Sequence, residues 1–162
     1  AAVESAGLAQ NSVVRALDVR ADAVVAERLD LEGSTPLVYL ERLRLAGTEP
    51  LALDRVWLPA SIARPLLAVD FSHTSLYGEL RARTGVSLDH GTEQIRAVLP
   101  TPAERRQLRC DADAAAFSIG RLGHASGVPV EWRHTLVRGD RFALAAEFSG
   151  RTGYQLVGTH KP

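Results

Sequence analysis

The sequence has no methionine, one cysteine (Cys110) and, among its 19 basic residues, one lysine (Lys161). A lone thiol excludes an internal disulfide framework and suits a reducing compartment. The 19 basic residues are balanced by 19 acidic ones, so the chain lacks the basic footprint of a nucleic-acid binder. Any DNA contact therefore belongs to a part outside it. No apolar run approaches the roughly 20 residues that span a bilayer, and no signal peptide opens the chain, so a cytoplasmic location without a membrane partner is expected. With no methionine anywhere, Ala1 is expected to follow either a trimmed initiator or, in preference, a cut made inside a longer protein. The five histidines, His73, His90, His124, His134 and His160, show no zinc-like spacing, and no phosphate-binding or dinucleotide loop is present, so neither metal nor cofactor is expected. Cys110, between Arg109 and Asp111, reads as a buried or incidental thiol. No set of nucleophile, base and orienting group assembles, which argues against an enzyme.

What is present is an ordinary globular composition, 46% hydrophobic and 23% charged over 162 residues, enough for one domain with a real core. Its most informative stretch is Leu37 to Leu58, which alternates as a β-hairpin with period two. On the first arm Val38, Leu40, Arg42, Arg44 and Ala46 share one face, apolar except for the two guanidinium groups. A three-residue loop, Gly47-Thr48-Glu49, sets Arg44 opposite Ala52 and Arg42 opposite Asp54, whereas a loop of two or four residues turns Asp54 away. Two readings stay open on these residues alone. One is an ion pair on a wet edge, worth roughly 0–1 kcal/mol. The other is an anion-binding wall in which Asp54 holds the guanidinium planes.

Along the rest of the chain, residues 1–11 read as a linker remnant and 12–20 as a strand, and Asp22 caps a short helix from Ala23 to Leu29. A brief helical segment runs from Pro59 to Leu67, and residues 75–84 form a helix entered through Ser72 or Thr74 and stopped at Gly85. Leu76 and Leu80 give that helix its inward stripe, and the hydroxyl-rich start suits an anion, although capping explains Ser75 equally well. Residues 86–99 read as a strand bent near Gly91. Thr101-Pro-Ala-Glu104 is a capping box opening a helix to Arg109, with Arg105, Arg106 and Arg109 on its solvated face. A second hairpin, 115–125 and 128–137, turns at Ser126-Gly127, and a last strand spans 142–148. Residues 151–162 carry no strong pattern and read as a C-terminal tail.

Taken together, Leu40-Glu-Arg-Leu-Arg44, Gly47-x-x-Pro-Leu-Ala-Leu-Asp54, Leu58-Pro59, Ser75-Leu-Tyr77, Gly127-x-Pro-Val-Glu131 and Val137-Arg-Gly-Asp-Arg141 resemble a UTRA domain. This is the effector-sensing half of HutC-type GntR-family transcriptional regulators, and the resemblance covers about residues 12–150. It implies an α+β fold of the chorismate-lyase-like kind, an antiparallel sheet carrying helices, with a ligand pocket on the sheet. It implies a homodimer that binds a small anionic effector such as a sugar phosphate. Operator DNA would be contacted only through an N-terminal winged helix-turn-helix domain absent from this chain. Carried over by position, the pocket residues are Arg42, Arg44, Asp54, Ser75, Tyr77 and Glu131. Two positions depart from the family pattern: Asp54 stands where glutamate is usual, and Val137 where tyrosine is common at the pocket edge. The alternative implied by the fold is a chorismate-lyase-like enzyme in which arginines bind a carboxylated substrate and Glu131 acts as the acid.

Overall fold

The computed structural model describes residues 11–151 and 153–160. Six strands form one antiparallel sheet in the order β1-β2-β3-β6-β5-β4. They are β1 (Ser12–Arg20), β2 (Leu37–Ala46), β3 (Glu49–Pro59), β4 (His90–Val98), β5 (Ala116–Ala125) and β6 (Val128–Arg138). β7 (Phe142–Ser149) and β8 (Gly153–His160) make a separate two-stranded ribbon. Four short helices, α1 (Ala23–Arg28), α2 (Ala60–Ala63), α3 (Leu76–Thr84) and α4 (Pro102–Leu108), pack on the sheet, and a 3-10 turn (Arg64–Ala68) extends α2. An α+β antiparallel architecture is thus what the residues form.

Both faces of β2 and β3 are covered, which is why these strands are buried along nearly their whole length. On one face Val38, Leu40, Val56 and Leu58 pack against Ala63, Leu66, Phe71, Leu76 and Leu80, drawn from α2, the 3-10 turn, the loop after it and α3. On the other, Leu43, Leu53 and Leu136 meet Leu108 of α4, while Val25 and Leu29 of α1 meet Leu37. The alternation of each strand sends successive side chains into these two layers. The arginine face of β2 therefore lies under α3, not in solvent.

The hairpin register brings Arg42 opposite Asp54 and Arg44 opposite Ala52, as expected, but by a different route. The turn holds two residues, Gly47 and Thr48, with Ala46 opposite Glu49 and Leu45 opposite Pro50. Gly47 takes φ +62°, a conformation that needs glycine in such a tight turn. A bulge between Arg44 and Leu45 then absorbs one extra residue on β3 and restores the facing of Asp54. The two-residue loop does not turn the acid away, because the bulge corrects the phase.

Other boundaries differ for local reasons. The cap of α3 is Ser75, not Ser72 or Thr74: its extended backbone lets Oγ accept from Gly78 N at 3.1 Å, while the Thr74 hydroxyl donates to Glu79 at 3.0 Å. Residues 86–89 are not part of β4, since Val86 packs into the helix layer. Pairing with β5 runs through Gly91 without a shift, so Gly91 marks no register break; a side chain there would run into the Leu122 carbonyl oxygen. The capping box on α4 forms as read, with Thr101 Oγ1 accepting from Glu104 N at 3.2 Å and Glu104 accepting from Thr101 N at 2.9 Å. Within the stretch read as a patternless tail, 153–160 pair along β7 as β8, with Tyr154 opposite Phe148 and Leu156 opposite Ala146. The expected linker lies outside the described residues except for Asn11, whose side chain donates to Gly47 O at 3.1 Å.

Candidate functional site

The face beneath α3 concentrates charge at its centre. Arg42 and Glu131 are wholly buried at 0% exposure, Asp54 is at 2%, Arg133 at 3% and Arg44 at 5%. Burying charges without partners is costly, so each must be compensated. Asp54 does most of this: it accepts from Arg42 Nη2 at 2.7 Å and from the Thr135 hydroxyl at 2.9 Å, and lies 3.6 Å from Arg133 Nε. Burial alone would raise its carboxyl, but Arg133, Arg42 and Arg44 outweigh that and hold it well below the usual carboxylate range.

The cluster continues outward through β6. Glu131, Arg133 and Thr135 are two residues apart, so all three leave the strand on the Asp54 side. Arg133 Nε is 3.7 Å from Glu131 Oε2, and its guanidinium lies 4.9 Å from the centre of the Tyr77 ring. The Tyr77 hydroxyl donates to Glu131 Oε1 at 2.9 Å and accepts from Arg121 Nη1 at 2.8 Å. Arg121 in turn forks onto Glu93 of β4, with its Nε donating at 2.7 Å. Burial pushes the Tyr77 phenol up, so it stays protonated and able to donate.

This polar chain opens into a cleft of 690 Å³ between α3, the 85–90 segment and the β4–β5 edge, lined among others by Tyr77, Arg81, Asp89, Glu93, Arg121 and Gly123. Gly123 sits opposite Glu131, and a side chain at 123 would stand 3.4 Å from Glu131 Oε1 and 2.9 Å from Leu88. The missing side chain leaves Glu131 close behind the cleft wall. At the inner end, Arg42 Nε and Nη1 are buried with no hydrogen-bond partner among the described residues. Buried donors normally have partners, and a bound anion is one way to supply them.

Of the six residues named from the sequence, the structure joins Arg42 with Asp54 and Tyr77 with Glu131, and places Arg44 close enough to lower the Asp54 carboxyl. Ser75 stands apart as the helix cap, outside both the polar chain and the cleft lining. Val137 belongs to an apolar cluster with Leu51, Ala52, Ile119 and Phe142. The sequence reading missed Arg133, Thr135 and Arg121. The first two carried a legible signal, the alternation Glu131-x-Arg133-x-Thr135; Arg121 is brought in only by the pairing of β5 with β6, where it lies opposite Arg133.

Comparisons with known proteins agree with this architecture. The UTRA domain family model matches residues 6–143. The HTH-type transcriptional repressor PhnF of Mycolicibacterium smegmatis is 32% identical over 148 residues, covering 90% of this chain and 60% of the relative. The HTH-type transcriptional regulator GmuR of Bacillus subtilis is 25% identical over 123 residues, covering 75% of this chain and 52% of its own length. The chain thus spans little more than half of these curated relatives. Among solved structures, the effector domain of PhnF from Mycobacterium smegmatis superposes with a TM-score of 0.74 at 29% identity, covering 80% of this chain and 81% of that one. The C-terminal domain of the histidine utilization repressor from Pseudomonas syringae superposes with a TM-score of 0.79 at 21% identity, covering 86% and 98%, a likeness of fold.

Proposed function

The chain belongs to the UTRA domain family, the effector-binding part of GntR-family transcriptional regulators, and we propose that its effector is a small anionic metabolite such as a sugar phosphate, held in the buried arginine cluster. The observation that carries this reading is Arg42, fully buried with two guanidinium nitrogens lacking hydrogen-bond partners among the described residues. Around it three arginines, Arg42, Arg44 and Arg133, face two acids, Asp54 and Glu131, which leaves the cluster one positive charge in excess even with both acids ionised. An anion oxygen reaching Arg42 supplies both the charge and the missing acceptors.

The cleft is the entry. Tyr77 stands between it and the inner cluster, so the effector gets in as the Tyr77 ring leaves Arg133 and returns over the bound anion. The start of α3 moves with Tyr77, and Ser75, which fixes that helix start, serves as a positioning residue. In this reading the chain works as a homodimer and is not an enzyme. Effector binding shifts the orientation of winged helix-turn-helix domains outside this chain and changes their hold on operator DNA, a coupling of about 1–3 kcal/mol.

Thermal shift against sugar phosphates, phosphonates, urocanate, amino acids and fatty acids tests the ligand class. An anionic effector at about 100 times its dissociation constant stabilises the fold by about 2.7 kcal/mol. Stabilisation by neutral or cationic compounds alone contradicts the reading, and release of pyruvate from chorismate would reinstate the lyase alternative.

A further inference from the structure

Glu131 is the one acid of the cluster whose surroundings do not favour its charge. It is fully buried; Oε1 accepts from Tyr77 at 2.9 Å, and Oε2 has no hydrogen-bond partner among the described residues. Its nearest cation, Arg133 Nε at 3.7 Å, lies as close to Asp54 Oδ1, at 3.6 Å. Two carboxylates therefore share one guanidinium. Asp54 also has Arg42 and Thr135 as hydrogen-bond donors, whereas among the described residues Glu131 has only the Tyr77 hydroxyl. When two acids compete for the same cation, the better-supported one takes the charge and the other the proton. A protonated carboxyl carries one O–H donor, and Oε2 is the oxygen left to bear it.

We propose that Glu131 engages the effector as an un-ionised acid, donating a hydrogen bond from Oε2 to an anion oxygen, so that binding is coupled to the proton it holds. This rests on the reading of the buried cluster as the effector site. The groups facing Glu131 are Tyr77 from α3, Arg121 from β5 with Glu93 of β4 behind it, Arg133 from its own strand and Asp54 from β3. Burial raises the Glu131 carboxyl against the pull of Arg133, the Tyr77 hydrogen bond and Arg121, and Asp54 adds to the rise. Gly123 keeps the strand opposite free of a side chain, and a Cβ there would stand 3.4 Å from Glu131 Oε1, so only the bare backbone of Gly123 separates that side of Glu131 from the cleft it lines. An arriving negative charge makes ionised Glu131 less favourable still. Any ionised fraction takes up a proton from solvent as the anion binds.

The test is titration calorimetry of the 162-residue chain with inorganic sulfate, which remains a dianion between about pH 5.5 and 8.5. The wild type should lose affinity for sulfate as pH rises above the pKa of unliganded Glu131, by up to about tenfold per pH unit. Buffers of different ionisation heat should report proton uptake. This second readout needs no variant and stands if Glu131→Gln misfolds. Folded Glu131→Gln, whose amide donates at any pH, should bind sulfate with no such slope and no proton uptake. Wild-type binding that is flat with pH and takes up no proton overturns the role of Glu131 alone, as does the same slope in Glu131→Gln. An absence of binding heat in both proteins at every pH overturns the anion site itself.

Discussion

Removing the Asp54 carboxylate is the perturbation whose magnitude the structure fixes best. In Asp54→Ala, Arg42 loses its hydrogen bond at 2.7 Å, Thr135 loses its acceptor, and the Arg133 contact at 3.6 Å disappears. Arg42, already without partners at Nε and Nη1, is then a buried cation with no acceptor among the described residues and no water at 0% exposure. Removing one member of such a buried pair costs about 3–5 kcal/mol, roughly a fifth or more of the stability of a typical domain of about 5–15 kcal/mol. The control is Asp18→Ala. Asp18 pairs with Arg20 at 2.6 Å, a shorter distance, but both side chains are nearly half exposed, at 44% and 46%. Solvent screening reduces that pair to about 0–1 kcal/mol. Urea unfolding of the three proteins, compared at equal slope, reads both values directly. Equal losses for the two variants would refute the argument that burial, rather than distance, gives the Asp54 cluster its weight.

Because Asp54 is held below the ordinary carboxylate value, its stabilisation is present above about pH 3.9 and is lost as pH falls through its folded pKa; Asp54→Asn should flatten that acid limb in a pH series of urea midpoints. Glu131 is shifted the other way, so the stability of the wild type relative to Glu131→Gln should decline as pH rises from about 4.3 toward the folded pKa and level off beyond it. Gly120→Ala drives a methyl group to 2.8 Å from the Trp132 ring, and should cost about 1–3 kcal/mol in the same unfolding assay. Thr101→Ala removes half of the capping box on α4 and should cost about 1 kcal/mol, with the cleft unaffected.

Much of this was legible in the sequence wherever a pattern is local. Period-two alternation placed Arg42, Arg44 and Asp54 on one face, and Asp22 and Thr101 announced their helices because a cap is a short-range hydrogen bond. The turn length was not legible, since a two-residue turn with a bulge and a three-residue loop give the same facing. Nor was β8, whose polar and apolar residues make sense only beside β7. For the site, the choice between a wet edge and a buried wall could not be made from the hairpin. It depends on α3 and Phe71 covering that face, a fact of tertiary packing. Arg121 and Glu93 joined the site through pairing between strands far apart in the chain, for which the sequence of either strand offers no sign.

The binding proposal stands or falls on an anion completing the coordination of Arg42. A crystal structure of this chain with the tightest-binding compound of the thermal-shift panel tests it most directly. A ligand oxygen is expected about 2.7–3.2 Å from Arg42 Nε or Nη1, with Asp54 still holding Nη2. A ligand confined to the outer cleft, or seated among Arg15, Arg106 and Arg109 on the opposite side of the sheet with Arg42 unchanged, would contradict it.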